Sequence, residues 1–296
     1  MAPGARPRRR TPKTVVYRRR ALALAVLVAG FLIAWFAVAS VGRNDKAKAP
    51  TTTAALVAPK PFRIIFPEGF TRKQMAERAT AVAGIAQRKR GKPVRLNGRT
   101  YLAATARPRL EPGFGRKALP LEGFLFPATY DFTARTTSPQ LVASQLKAFR
   151  ANWAKLDLAY AHSKNLTAYD VLTIASMIEK ETPAPEERQL VSAVIYNRLH
   201  EGMTLGIDAT LRYGLDIPPT ESIRESQLAS DTPYNTRKFA GLPPTPIASP
   251  GLASLQAAAH PAKVDYLYFV RKPDKRHHFF TASFSEFERY KAEHGY

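Results

Sequence analysis

The sequence contains no cysteine and few acidic residues. Without cysteine, the chain has no disulfide framework, no thiolate metal site and no cysteine nucleophile. It also lacks the H-E-x-x-H, G-x-S-x-G and phosphate-binding loop motifs, so a zinc protease, an α/β-hydrolase and a nucleoside triphosphatase have no support. The 23 Asp and Glu residues stand against 45 Lys and Arg residues, which gives a net charge of +22. Such a basic chain favours an anionic partner: nucleic acid, anionic lipid or an acidic polysaccharide.

Much of the positive charge lies near the N-terminus, around a long apolar run. Residues 1–20 carry eight Lys and Arg residues and no acid, and we predict a basic cytoplasmic tail. Residues 21–42 hold an uncharged apolar run long enough to cross a hydrocarbon core of about 30 Å as a helix. Because the basic cluster precedes this run, the positive-inside rule predicts a cytoplasmic N-terminus and an extracytoplasmic remainder. Residues 43–61 are rich in Pro, Ala and Thr and are predicted to be a linker.

Residues 62–296 have the mixed pattern of helices and short strands that is typical of a single α+β domain. Residues 86–118 are basic and irregular, apart from a short helical pattern near 101–105. We therefore expect one extracytoplasmic α+β domain behind one transmembrane helix. The other predicted elements are strands at 62–66, 265–270 and 277–281 and helices from Thr71 to about Ala83, from Pro139 to about Leu156, and from Pro185 to Gly202.

A further predicted helix ends in two closely spaced carboxylates. Thr167 and Asp170 form a T-x-x-D capping pattern at its start. Pro183 disfavours helical backbone in the residue before it, so the helix should end at about Glu181. The apolar residues that recur at helical spacing in this segment are Val171, Ile174, Ala175 and Ile178.

The two carboxylates of this helix, Glu179 and Glu181, are not equivalent. At about 100° per residue they fall on opposite flanks of the apolar face, while Lys180 points away from it. A carboxyl at the end of a helix lies among unpaired carbonyl groups and apolar neighbours, and both raise its pKa. A carboxyl that keeps its proton near neutral pH suits general-acid catalysis. The common alternative is a solvated surface residue, for instance one paired with Arg188 of the next helix.

Several stretches of the sequence resemble one known family. They are ASMIEKETPAPEERQLVSAVIYNRL at 175–199, GMTLGIDATLRYG at 202–214 and TPYNTRKFAGLPPTPIASPGLASLQAAAHPAKVDYLYFV at 232–270. LEGFLFPATYDF at 121–132 and HHFF at 277–280 are two further similar blocks. In this order, over residues 62–296, they resemble the MltG or YceG-like family of endolytic murein transglycosylases. A single apolar anchor with an outward-facing domain is also similar to that family.

The resemblance implies an activity and its catalytic residue. The family cleaves the β-1,4 bond between N-acetylmuramic acid and N-acetylglucosamine in nascent peptidoglycan, and the 1,6-anhydromuramic ends that it leaves limit strand length. The family's catalytic glutamate corresponds to Glu181, with Glu179 as the alternative. The resemblance implies no metal and no other cofactor. The partners that it implies are peptidoglycan strands, the cytoplasmic membrane and peptidoglycan synthases, and not nucleic acid.

The resemblance also suggests polar and aromatic positions for a substrate cleft, although a turn or core role is the alternative for each. Asp208 is the candidate expected to shift the pKa of the catalytic carboxyl by its charge. Glu122 could equally form a structural ion pair, Asn197 could lock two helices together, and the apolar neighbours of His278 are typical of a core strand. The substrate-binding candidates are Glu122, Asn197, Asp208, Thr210, Tyr213, Tyr234, Asn235 and His278.

Some features differ from the family pattern. The LysM-like module that many members carry between anchor and catalytic domain is expected to be absent, and Ala128 and Ala209 stand where the family usually has Asp and Pro. A non-catalytic peptidoglycan-binding or scaffold protein of the elongation machinery is the alternative function, since it would use the same cleft. A membrane-tethered nucleic-acid binder is disfavoured, because the sequence has no nucleic-acid-binding motif and the predicted topology faces outward.

Overall fold

The computed structural model describes residues 29–30, 61–106, 111–115 and 119–296. The predicted basic tail, the predicted anchor apart from residues 29 and 30, and the predicted linker apart from residue 61 lie outside the described residues. Within the described ranges, we find no helix of the length and apolar character needed to span a bilayer.

The described elements are helices and short strands, numbered here from residue 61 onward. The strands are β1 (Phe62–Ile65), β2 (Thr129–Phe132), β3 (Tyr268–Arg271) and β4 (His278–Thr281). The helices are α1 (Arg72–Arg90), α2 (Gly98–Ala106), α3 (Ser138–Trp153), α4 (Ala159–Ser163), α5 (Ala168–Glu181), α6 (Arg188–His200), α7 (Asp208–Gly214), α8 (Glu225–Leu228), α9 (Leu252–Ala259) and α10 (Phe284–His294). β1 pairs with β2, and β3 pairs with β4, both in antiparallel register. This mixture of helices and antiparallel strand pairs agrees with the predicted α+β class.

The first helix, α1, is longer than the sequence pattern predicted. Thr71 caps it as expected, in a reciprocal capping box with Gln74. The helix was expected to end near Ala83 but continues to Arg90, because Ala83 and Ala86 extend its buried stripe. Gly91, in left-handed backbone conformation, then ends it.

Residues 86–118, predicted to be mostly irregular, contain the second helix, α2. It packs closely against α1, and a Cβ atom added to Gly98 would lie 2.6 Å from the backbone oxygen of Ala76. The small residue at this crossing lets the two backbones approach. In the core beyond α2, the Tyr101 hydroxyl donates to Gln145 Oε1 of α3 at 2.6 Å. α3 itself runs from Ser138 to Trp153, close to the predicted span.

Helix α5 lies at the centre of the core. All of its residues 171–178 are buried, whereas the sequence pattern predicted one buried face. The remaining faces are covered because α6 and α9 pack against α5, and because the Ser176 hydroxyl accepts a hydrogen bond from the Ile247 N–H at 3.0 Å. The predicted capping pair, Thr167 with Asp170, and the predicted end at Glu181 are both confirmed. The end of α5 is therefore held by the most deeply packed part of the molecule.

The segment after α5 departs slightly from its prediction. The helix expected from Pro185 starts as a 3-10 turn, Pro185–Glu187, and becomes α-helical at Arg188. Proline suits the first turn because that turn needs no N–H donor at this position.

The C-terminal part consists of the β3–β4 hairpin and α10. Both predicted strands are present, with the charged turn between them, but the first begins at Tyr268 and not at residue 265. In the hairpin register, Tyr268 and Val270 share one face, which α10 covers; Tyr290 of α10 stacks on Phe279 with ring centroids 4.3 Å apart. Phe269 and Arg271 share the other face with Phe280 and His278. The hairpin thus presents one face to α10 and the other to the body of the domain.

Candidate active site

The domain contains a cleft of about 1430 Å³. Its walls come from the start of α1, the ends of α5 and α6, helix α7, strand β3 and helix α10. Arginine, lysine and aromatic side chains contribute much of the lining, with Glu181 and Asp208 among its acidic groups. The cleft is therefore larger than a typical small-molecule pocket, and its lining combines charged and aromatic side chains.

Glu181 is the last residue of α5 and is partly exposed to the cleft. Burial raises the pKa of its carboxyl, and the negative charge of Asp208 raises it further. The Ala209 backbone N–H and the guanidinium groups of Arg271 and Arg237 act in the opposite direction, but the net shift of the pKa is upward. A proline at position 209 would have no N–H to offer this carboxyl. Glu181 thus holds a proton more tightly than a solvated glutamate does.

Glu179 lies on the other flank of α5 and contacts the start of α9. Its Oε2 accepts hydrogen bonds from the Gly251 N–H at 3.0 Å and from the Ser254 hydroxyl at 2.7 Å. Glu68 lies beside this pair, and both burial and the charge of Glu179 raise the pKa of Glu68. A carboxylate at a helix N-terminus is favoured by the exposed N–H groups there. Glu179 therefore joins α5 to α9, and it is not among the described residues that line the cleft.

Glu122, Tyr213 and Tyr234 form a connected group in the cleft wall. The buried Glu122 carboxyl accepts hydrogen bonds from the Arg72 N–H, at 2.9 and 3.2 Å, and from the Tyr213 hydroxyl at 3.1 Å. Burial raises the pKa of Glu122 to about 7. The Tyr213 ring packs against that of Tyr234 with centroids 5.2 Å apart, and the Tyr234 hydroxyl lies 2.8 Å from Thr245 Oγ1. The group joins α1, α7 and the segment after α8.

Asp208 opens α7 and also lines the cleft. Arg237 donates a hydrogen bond from Nε to Asp208 Oδ1 at 2.5 Å. This ion pair holds the Asp208 carboxylate where it acts electrostatically on Glu181. The charge effect expected of Asp208 is present in the structure.

His278 lies in the cleft wall, and its side chain contacts the buried carboxylate of Glu187. Its Nδ1 lies 2.7 Å from Glu187 Oε2, and its backbone N–H donates to Glu187 Oε1 at 3.0 Å. The ring packs edge-on against Phe269 and Phe280. Glu187 was missed by the sequence reasoning, because its partner is 91 residues away and no local pattern links them.

Three of the predicted substrate-binding residues do not line the cleft, and each holds backbone groups instead. Asn197 donates from Nδ2 to the Val264 and Tyr266 carbonyls at 3.0 and 2.9 Å. Thr210 donates to the Ile207 carbonyl at 2.7 Å. Asn235 donates from Nδ2 to the Leu228 and Ser230 carbonyls, both at 2.8 Å. These side chains position the segments that form the walls.

Other lining residues were not singled out in the sequence. Arg198 donates from Nε to the Leu267 carbonyl at 2.5 Å and from Nη1 to the Thr204 and Leu205 carbonyls. Tyr268 and Phe284 contribute aromatic rings to the cleft lining. The signal that could have found them is the density of aromatic residues after residue 265 in a stretch that also carries Arg and Lys.

No group of three or more His, Cys, Asp or Glu side chains in the described ranges is arranged to hold a metal ion. The conspicuous chemical feature of the cleft is instead the carboxyl of Glu181 with its raised pKa.

The fold and the site define a mixed helix–strand protein whose cleft is lined by two carboxyls with a raised pKa, Glu181 and Glu122. A sequence model of the YceG-like family matches residues 43–293, and the chain belongs to this family. It is similar to a yceG-like protein of Listeria monocytogenes whose crystal structure superposes with a TM-score of 0.64 at 30% identity, covering 79% of this chain and 77% of that one.

Two curated relatives of the chain are named endolytic murein transglycosylases. The endolytic murein transglycosylase of Bacillus subtilis is 37% identical over 153 residues, which cover 52% of this chain and 42% of that protein. The endolytic murein transglycosylase of Streptococcus pneumoniae R6 is 37% identical over 181 residues, covering 59% of this chain and 32% of that protein. The matched part of the chain thus spans less than half the length of these relatives.

Proposed function

We propose that this protein is an endolytic murein transglycosylase that cleaves the β-1,4 bond between N-acetylmuramic acid and N-acetylglucosamine within peptidoglycan strands. The observation that carries the proposal is the Glu181 carboxyl, which has a raised pKa and lines a cleft of about 1430 Å³. Curated relatives named endolytic murein transglycosylases support the same activity.

Glu181 serves in this proposal first as an acid and then as a base. Protonated, it gives its proton to the glycosidic oxygen as the bond between that oxygen and C1 of muramic acid breaks. The C6 hydroxyl of the same sugar then bonds to C1, and its proton passes to the Glu181 carboxylate. The product is a 1,6-anhydromuramic end, and no water is consumed. Since the nucleophile belongs to the substrate, proximity favours ring closure and one protein carboxyl suffices, unlike the usual pair in glycosidases.

The neighbours of Glu181 support this acid and base cycle. The Asp208 charge favours the protonated form of Glu181, and the positive charges of Arg237 and Arg271 act in the opposite direction. Tyr213 and Tyr234 line the same cleft with aromatic rings of the kind that carbohydrate sites use. Glu179 is a weaker candidate for the acid, because its carboxylate is occupied at the start of α9.

Replacing Glu181 by glutamine tests the proposal. Removing the proton donor should lower kcat by at least about 10²- to 10⁴-fold while leaving the fold intact. The full-length chain and its Glu181→Gln variant are incubated with purified glycan strands, and the ends of the products are identified by mass spectrometry. Wild-type protein should produce anhydromuramic ends that the variant does not produce.

Two further variants sharpen this test. Glu179→Gln should retain the chemistry but lose stability, since a neutral amide binds the α9 N-terminus less well. Glu201→Gln changes an exposed residue after α6 and is the matched control. Full activity of Glu181→Gln would overturn the assignment, and hydrated reducing ends would identify a hydrolase. Strand binding without cleavage by the wild-type protein would favour the non-catalytic scaffold.

We also propose the setting in which this activity operates. Residues 21–42 would anchor the chain in the cytoplasmic membrane behind the basic tail 1–20 and before the linker 43–61. The domain from residue 62 would then act outside the cytoplasm on nascent strands and limit their length, beside peptidoglycan synthases. The uncharged apolar run and the preceding Arg clusters support this arrangement.

A further inference from the structure

Three aromatic residues of the cleft lining, Tyr268, Phe284 and Phe287, form an aromatic platform. The Tyr268 ring lies 5.5 Å from that of Phe284 and 5.3 Å from that of Phe287, stacked on the latter. Phe284 is 59% exposed, and no residue of α10 is buried. Tyr268 and Phe287 are half-buried, and Phe284 is the exposed ring of the platform. An exposed aromatic ring in a cleft points to a ligand, whereas core packing would bury it.

The platform is held in place by the body of the domain. The Arg198 guanidinium lies 5.4 Å from the Tyr268 ring centroid and also binds the Leu267 carbonyl. Asn197, the preceding residue, binds the Val264 and Tyr266 carbonyls, so α6 fixes the segment that leads into β3. Rigid rings lose little conformational freedom when they bind a ligand.

A cation, Arg271, lines the same cleft as the platform and Glu181. Arg271 ends β3, is exposed, and acts electrostatically on Glu181. No hydrogen bond or ion pair to its guanidinium is formed by the residues that the structure describes. Other arginines of the cleft are occupied: Arg237 by Asp208, and Arg212 by the Pro218 and Glu221 carbonyls. Arg271 therefore has donors available for a carboxylate of the ligand.

We propose that the part of the cleft lined by the platform and Arg271 is a glycan subsite that recognises strands carrying stem peptides. A pyranose ring stacks its C–H face on Phe284 of the platform, and Arg271 pairs with a carboxylate of the stem peptide on a neighbouring muramic acid. The inference rests on the proposed function, since the strand that crosses Glu181 is the chain that reaches the platform. It adds to that function the sugar ring and the stem peptide that the protein binds at a distance from the scissile bond.

Binding rather than turnover tests the subsite, so that its failure can be told from failure of the proposed function. The full-length Glu181→Gln chain is the parent, because Arg271 acts on Glu181 and a change at Arg271 would also alter catalysis. Affinity is measured for strands with stem peptides and for strands from which an amidase has removed the peptides. Phe284→Ala should weaken binding of both about five- to tenfold. Arg271→Gln should weaken binding of the peptide-bearing strands alone, by about five- to tenfold.

Matched controls come from exposed residues away from the cleft. Phe239→Ala removes an aromatic ring that is 43% exposed, and Arg63→Gln removes an exposed cation on β1; both should bind like the parent. If Phe284→Ala and Arg271→Gln also bind like the parent, the subsite is overturned while the activity proposed for Glu181 stands. An Arg271→Gln variant that loses both kinds of strand equally contradicts peptide recognition. Failure of the parent to bind any strand overturns the subsite and the proposed function together.

Discussion

At the scale of single residues, the cleft contains a carboxyl whose titration is coupled to folding. The buried Glu122 has a pKa of about 7, against the ordinary value of 4.5. Since the folded-state pKa is the higher one, the folded protein keeps a proton that the unfolded chain releases between these two values. The Glu122 contribution to stability is thus fully present below pH 4.5 and is lost as the pH rises towards 7.

Glu122→Gln should therefore flatten the pH dependence of folding. From pH 4.5 to 7 the wild-type chain should lose about 3 kcal/mol of unfolding free energy through this group, and the neutral glutamine should not. Urea unfolding at several pH values measures the slope. Glu201→Gln, at an exposed position, is the matched control. A Glu122→Gln curve parallel to that of the wild type would contradict the buried-proton account.

Single residues also show how far sequence reasoning extends. The helical rotation separated Glu179 from Glu181, and the structure places them on different surfaces of α5. Their partners could not be foreseen, because Gly251, Ser254 and Asp208 come from distant segments that only the fold brings near. Local periodicity predicts which face of a helix a residue occupies, whereas the residues that it contacts depend on how the helices pack.

At the scale of helices and strands, the capping residue and the end of helix α5 were predicted correctly from the sequence. The Thr167 cap and the proline-imposed end of α5 were predictable because both act within one helical turn. The length of α1 was not predictable, because burial of its last turns depends on tertiary contacts of Ala83 and Ala86 that the spacing of the alanines does not specify. The burial of α5 on all sides was equally hidden, because several of the residues involved, such as Thr173 and Ser176, are polar.

The hydrogen bonds from Asn197 of α6 to the segment that precedes β3 can be tested by mutation. Asn197→Ala removes two side-chain hydrogen bonds to backbone carbonyls and should lower the unfolding free energy by about 1–3 kcal/mol. Affinity for glycan strands should fall as well, because the platform loses its support. Denaturant unfolding and strand binding are measured on the same preparations.

Asn152→Ala is the matched control for this test, since the Asn152 amide donates to the Ala148 carbonyl within its own helix. Lower affinity of Asn197→Ala at unchanged stability would instead mean that Asn197 contacts the substrate directly, as the sequence first suggested.

At the scale of the whole molecule, the sequence predicts the fold class but not the cleft. The mixed helix–strand class and the order of the sequence blocks were both apparent before the fold was known. The cleft was not, because its walls combine residues from Thr71 to Tyr296. Such a surface exists only once the chain has folded, and no short stretch of sequence contains it.

The proposed topology predicts where the ends of the chain lie. When the full-length chain is made in bacteria and protease is added to spheroplasts, the domain after residue 62 should be digested or released, while the tail 1–20 stays protected. Antibodies against the two ends follow the fragments, and lysed cells show that the tail can be cleaved. Protection of the domain in intact spheroplasts would reverse the proposed orientation.

The two walls of the cleft differ in how firmly they are held, and this difference has a kinetic consequence. Glu181 ends a helix that the core encloses on every side, whereas α10 has no buried residue and rests on the hairpin through ring contacts. Regions with little buried surface open locally at a small fraction of the global unfolding free energy. We therefore expect the α10 wall to open and reclose many times during the lifetime of the folded protein while Glu181 stays fixed. A polymer without a free end nearby could then enter sideways, so that strand entry is governed by the weakest part of the fold and bond cleavage by the strongest.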